Sequence, residues 1–200
     1  MIQFALAVAF LIITPGPGVL SVAGVGAGFG LRAGARYIAG LFVGTNLVAI
    51  AVVSGLWAAV STVPYLRTAL LFVSVAFLTY LALRIAFAGA SIAFNRALKQ
   101  PGAADAVFLQ FVNPKAYAVN TTLFAGFPMG FTDPATEIAM KFLIMNLIWV
   151  PVHFGWLWLG ITIKRLDLPA CTQRRINYLM AVAMMAVVAM TLLAGGIAGA

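Results

Sequence analysis

Long apolar runs separated by short polar gaps make up this chain, and within each run the apolar residues are continuous. Strands that cross a membrane would alternate apolar and polar positions residue by residue instead. Runs of about 20 residues match the length of helix that spans a bilayer. The pattern predicts six segments: about Ile2 to Gly28, Tyr37 to Val60, Thr68 to Ala88, Ala104 to Phe131, Ala135 to Ile163 and Ile176 to Ile197. The gaps predict a first loop holding Gly28, Gly30, Arg32, Gly34 and Arg36, a short turn from Ser61 to Arg67, and further loops around Lys99, Asp133 and Arg174. No gap is long enough to be a linker, so residues 1–200 read as one all-α integral membrane domain.

Two of the six segments cannot be ordinary helices. The fourth carries Asn113-Pro114-Lys115 near its middle. Proline removes a backbone donor and crowds the preceding turn. A lysine at the bilayer midplane costs roughly 2.5–3.5 kcal/mol. Lys115 lies about ten residues beyond Asp105, or ~15 Å of helix rise, too far for the amine to reach the surface. Freed backbone at membrane depth is tolerated only where protein or a water-filled cavity satisfies it. We therefore expect two half-helices meeting at a break, with an ammonium placed there. In the first segment the run from Ile2 to Ile13 is too short to span alone. Thr14-Pro15-Gly16-Pro17-Gly18 then interrupts it, and more apolar chain follows. This is a second broken span. No basic stretch precedes it and no small-residue cleavage site leads into a soluble domain, so it reads as a retained membrane element rather than a signal peptide.

Composition agrees. The chain is 64% hydrophobic and 8% charged, whereas a soluble domain carries about 25% charged residues. Its formal net charge of +8 would point to nucleic acid in a soluble protein. Here the basic residues sit in the gaps, so they set orientation and no nucleic-acid partner is expected. The gaps after the first, third and fifth segments hold Arg32, Arg36, Arg84, Arg96, Lys99, Lys164, Arg165, Arg174 and Arg175. Those after the second and fourth, with their flanks, hold Arg67 and Lys141. This bias places the three basic gaps inside and both termini outside.

The broken spans occupy corresponding places. Pro15 and Pro114 are 99 residues apart, Asn46 and Asn146 are 100 apart, and so are Gly55 and Gly155. An offset of 99 or 100 in all three matches indicates two three-helix repeats, about 1–95 and 104–198. Three is odd, so the second enters the membrane from the opposite side. Paired Gly/Pro-interrupted segments of this kind point to a transporter's binding site.

Several residues could carry chemistry. Lys115 could bind a carboxylate or couple to protons, or else pair with backbone carbonyls freed at the break. The Thr14, Pro15, Gly16, Pro17 break offers backbone amides at a half-helix N-terminus, which attract anions. Asn46, Asn146 and Gln110 are polar amides within apolar segments, either glue between helices or contacts for a substrate. His153 is read as structural, near Pro151. Asp105, Asp133, Glu137 and Asp167 all fall at segment ends or in loops, so no deep carboxylate site for a metal ion is expected. Cys171 is alone, which excludes an intramolecular disulfide and a cysteine-rich metal site. The methionines near Met184 read as packing. No cofactor is implied, no nucleophile–base pair for an enzyme is visible, and no GxxxxGK[ST] nucleotide loop exists.

The residues that mark the two breaks also carry a family resemblance. Ile13-Thr14-Pro15-Gly16-Pro17 resembles the N-terminal TPGP signature of the LysE/RhtB translocators. Phe108 to Ala116, FLQFVNPKA, resembles that family's second signature, and Tyr80 to Arg84 resembles the end of its third span. The resemblance covers essentially the whole chain. It implies an exporter of amino acids or small derivatives in a bacterial inner membrane, driven by proton antiport, with both termini then periplasmic. It implies that Thr14, Pro15, Gly16, Pro17, Asn113, Pro114 and Lys115 shape the site. Many members carry an aspartate in the second span, near Thr45-Asn46 here, where this chain has no acid. The expected partners are an amino acid, protons and membrane lipid, and a homodimer is compatible with the sequence. The alternatives are a transporter of another solute or a metal ion, or a membrane-embedded protein that does not transport. The charge bias makes one outcome measurable: cysteine labelling should find position 99 on the cytoplasmic side and position 133 outside, and the reverse pattern would overturn the topology.

Overall fold

A computed structural model describes residues 1–55 and 100–166 continuously, with isolated positions between 63 and 83 and between 171 and 186. Apart from those positions, the third and sixth predicted segments and the gap around Lys99 lie outside the described residues. The described residues form six helices: α1 (Ile2–Ile13), α2 (Pro17–Phe29), α3 (Leu31–Val53), α4 (Ala103–Val112), α5 (Pro114–Gly126) and α6 (Pro134–Arg165).

Both predicted breaks are present. α1 stops because Thr14 precedes Pro15 and takes an extended ψ of 126°, the conformation a following proline favours. The Thr14 backbone N–H and hydroxyl both donate to the Phe10 carbonyl, at 3.2 and 2.6 Å, which closes the helix end. Pro17 opens α2 at its first helical position, where a missing N–H costs nothing. The two helices bend by 52° at the break. Neither is long enough to span about 30 Å of hydrocarbon alone; end to end they are. α4 and α5 meet the same way at Asn113, with Pro114 opening α5.

α3 and α6 are each long and apolar enough to cross a membrane, and α1 with α2 makes a third span if the bent pair counts as one. The chain is thus a helical, multi-pass membrane protein. α6 runs through Pro151 without interruption, and that proline is exposed. Asp133 caps α6, accepting from the amides of Ala135 at 3.2 Å and Thr136 at 2.9 Å. The Thr136 hydroxyl and these two amides hold the Asp133 carboxyl below its ordinary pKa.

Several expected boundaries move. The first loop, expected from Gly28 to Arg36, shrinks to a single residue. Gly30 adopts a φ of 84° between α2 and α3, which turns the chain without a side-chain clash. Arg32 and Arg36 then sit exposed in the opening turns of α3. α3 also ends at Val53 rather than near Val60, and Gly55 follows in a turn with φ 75°. Gly155 lies inside α6, so Gly55 and Gly155 are not structural counterparts. α5 ends at Gly126, before Phe131. Lys141, assigned to a gap flank, is buried on α6.

Each broken helix packs against the long helix from the other half of the chain. α2 and α1 lie on α6, and α4 and α5 lie on α3. The approach is close because small residues line it, as between membrane helices generally. A Cβ at Gly160 would fall 2.1 Å from the Ala23 carbonyl oxygen, and one at Gly40 2.1 Å from that of Ala103. Backbone faces backbone at both points, so neither can yield as a side chain would. Gly160→Val should therefore force α2 from α6 and cost about 1–3 kcal/mol, lowering the melting temperature in detergent. Gly155→Ala, where a Cβ meets nothing within 4 Å, should leave it nearly unchanged.

Candidate functional site

The two breaks meet. From the first turn of α5, the Lys115 ammonium crosses to the Thr14 carbonyl at the end of α1, Nζ to oxygen 2.6 Å. Pro15 and the break leave that carbonyl outside any helix ladder, and the lysine satisfies it. Two of the three ammonium donors remain for other partners. Gly16 makes the approach feasible. Its backbone is extended, which any residue can adopt, but a Cβ there would lie 2.7 Å from Lys115 Cδ and 2.9 Å from Nζ.

Behind this joint, the freed backbone and side-chain amides form a chain. Asn113 Oδ1 accepts from the Lys115 amide at 3.1 Å and so caps α5. Asn113 Nδ2 donates to Gln110 Oε1 at 3.2 Å. Gln110 Nε2 donates in turn to the Thr45 hydroxyl on α3. The Tyr117 hydroxyl reaches back across the break to the Phe111 carbonyl at 2.9 Å. Thr45, Gln110 and Asn113 are all buried, where unmet polar groups would cost about 1–3 kcal/mol each.

A cavity of about 510 Å³, including its open mouth, lies against this network. Thr14, Gly16, Gly18, Thr45, Gln110, Asn113 and Lys115 line it, as do Asn120, Trp149 and His153 and several aliphatic side chains. The N-terminus of α2 belongs to the same wall through Gly16, Gly18 and Val19, and no side chain caps it. The α5 N-terminus, by contrast, is occupied by Asn113. Trp149 and His153 stack with ring centroids 3.6 Å apart. His153 Nδ1 faces the Trp149 carbonyl at 2.9 Å; a carbonyl only accepts, so Nδ1 donates to it.

Of the residues singled out in the sequence, Thr14, Gly16, Gln110, Asn113 and Lys115 are brought together on this cavity. Pro15, Pro17 and Pro114 set its backbone and lie outside its lining. Asn46 and Asn146 are brought together elsewhere. Their amides pair reciprocally, at 3.1 and 2.9 Å, between α3 and α6. Thr45, Asn120 and Trp149 are lining residues that the sequence did not single out. Asn120 was detectable as a polar residue shortly after the break; Trp149 looked like one more apolar residue. A further buried group is Lys141, paired with Glu137 at 2.8 Å and donating to the Phe124 carbonyl at 2.9 Å. It fastens the end of α5 to α6, away from the cavity lining.

Fold and cavity together define a helical membrane protein with a small chamber, lined by polar and apolar side chains, at the meeting point of two interrupted helices. Residues 9–196 match the LysE type translocator family. The chain belongs to that family, whose members are transporters rather than enzymes and carry amino acids or related solutes across membranes. Comparison with curated proteins and with solved structures finds no match.

The contact at Gly16 supports a prediction. Gly16→Ala should be inserted and folded, because the atoms it displaces belong to a flexible side chain. It should nonetheless move the ammonium off the Thr14 carbonyl and reduce transport at least tenfold. Wild-type transport by Gly16→Ala in a vesicle assay would show that this joint is not needed.

Proposed function

We propose that the protein exports a small zwitterionic amino acid or amino-acid derivative across a bacterial inner membrane by proton antiport. The observation that carries this reading is the convergence of the Lys115 ammonium and the uncapped N-terminus of α2 on one cavity. Both are donors with positive potential, and a carboxylate complements both. Asn113 and Gln110 hold the break in shape around it.

Alternation of access would come from the two halves rocking against each other about the site. Three features support an inverted repeat. Both broken helices restart at a proline in helices of 13 residues, α2 and α5. Each packs on the long helix of the other half. Asn46 and Asn146 bond to each other reciprocally, as residues facing across a pseudo-twofold axis do. In this arrangement both termini are periplasmic. The resemblance implies a proton-driven cycle, and the sequence holds no nucleotide-binding loop that could supply energy instead. A metal ion as cargo is disfavoured, since no group of three His, Cys, Asp or Glu is present among the described residues.

Efflux from cells or inside-out vesicles tests this reading. Lys115→Ala should cut efflux at least tenfold while the protein stays in the membrane, and a protonophore should stop concentrative efflux by the wild type. Normal efflux in the variant would remove the role of Lys115, and undiminished efflux without a gradient would remove the antiport.

A further inference from the structure

Among the described residues, the buried side-chain oxygen Asn120 Oδ1 has no hydrogen-bond partner, and Asn120 belongs to the cavity lining. It is 2% exposed and forms part of the lining together with Lys115. Its Nδ2 donates to the Ala116 carbonyl at 2.8 Å, one turn back on α5. That bond identifies the free atom. Exchanging oxygen and nitrogen would set two acceptors against each other, so the atom left over is the carbonyl oxygen.

The other amides around the cavity are used up within the protein. Asn113 and Gln110 bond to each other, to Thr45 and to the Lys115 amide. The lining thus offers a surplus of donors at Lys115 and a buried, unmatched acceptor at Asn120, five residues on along the same helix. On ideal geometry the two positions are about 7.5 Å apart along the axis. The acceptor is neutral, and the lining includes no Asp or Glu. A single fixed cation therefore faces a dipole rather than a fixed anion.

We propose that Asn120 Oδ1 accepts a hydrogen bond from the substrate's ammonium group, and that this residue separates amino acids from carboxylic acids lacking the amine. The assignment rests on the proposed carboxylate site at Lys115 and extends it to the other end of the zwitterion. His153 lines the same space, and a Cβ at Gly18 would lie 3.9 Å from its Nε2. A substrate with a second cationic group would meet the Lys115 charge with no carboxylate to offset it, so neutral amino acids are preferred over lysine and arginine.

The test measures binding to the full-length protein in detergent, by thermal shift and by titration. The probes are the twenty standard amino acids, and then the best of them against the same molecule without its amino group. The wild type should bind the amino acid at least tenfold more tightly than the deaminated acid. Asn120→Leu and Asn120→Ala should weaken the amino acid tenfold to a hundredfold, in the range of a charged hydrogen bond, and leave the deaminated acid unchanged. Unchanged binding of the deaminated acid also shows that the variants are folded. Equal wild-type affinity for the two molecules overturns the proposal without any variant. Discrimination that survives in both variants overturns the role of Asn120 alone, and an ordered water then satisfies its oxygen. A wild type that binds none of the twenty removes the amino-acid reading together with this one.

Discussion

A charge bonded to an orphaned carbonyl holds the centre of this molecule. Pro15 and Pro17 interrupt one membrane segment and Pro114 interrupts another. Each interruption strands backbone groups in a place where lipid could not satisfy them. The Lys115 ammonium, itself unwelcome at that depth, answers the Thr14 carbonyl at 2.6 Å. Two defects that would each destabilise a membrane helix thereby become one joint. Asn113, Gln110, Thr45 and Tyr117 complete it by taking up the remaining groups around the second break.

The joint constrains its surroundings. Lys115 can reach Thr14 only because Gly16 has no side chain. α2 can lie close to α6, and α4 close to α3, only because Gly160 and Gly40 allow backbone to touch backbone. These contacts leave a chamber between the halves instead of a solid core. Its lining includes the Lys115 cation and the uncapped start of α2. The Glu137–Lys141 pair, its lysine buried and its carboxylate partly exposed, lies apart from the chamber. Its lysine also bonds to the end of α5, and so ties the half-helix that carries Lys115 to α6.

Much of the architecture was legible along the chain. Prolines and glycines clustered within otherwise apolar runs are decisive, because their effects act on immediate neighbours: a missing N–H, a forced extended residue, a permitted turn. Such local rules located both breaks and the ends of α1 and α2 to within a few residues. They failed at the start of α3. Arg32 and Arg36 looked like loop residues because they are charged, yet one glycine with positive φ is enough to turn the chain. A helix on the membrane surface can carry arginines in its first turns as readily as a loop can. The Glu137–Lys141 pair stands at the i,i+4 spacing that brings opposite charges together on a helix, so it was open to view in the predicted fifth segment and went unread.

By itself the sequence determined the membrane class, the two interrupted spans and the presence of an amine at one of them. These follow from apolar length, proline chemistry and the cost of charge in lipid, none of which depends on distant residues. Only the tertiary structure decided what each polar group faces. Asn46 and Asn146, equivalent by spacing to any candidate ligand residue, meet each other. Asn120, not singled out in the sequence, lines the chamber and is left with a buried oxygen that no protein group meets. Partners that lie 65 to 101 residues apart are chosen by how helices pack, and side-chain packing across that separation leaves no local trace in the order of amino acids.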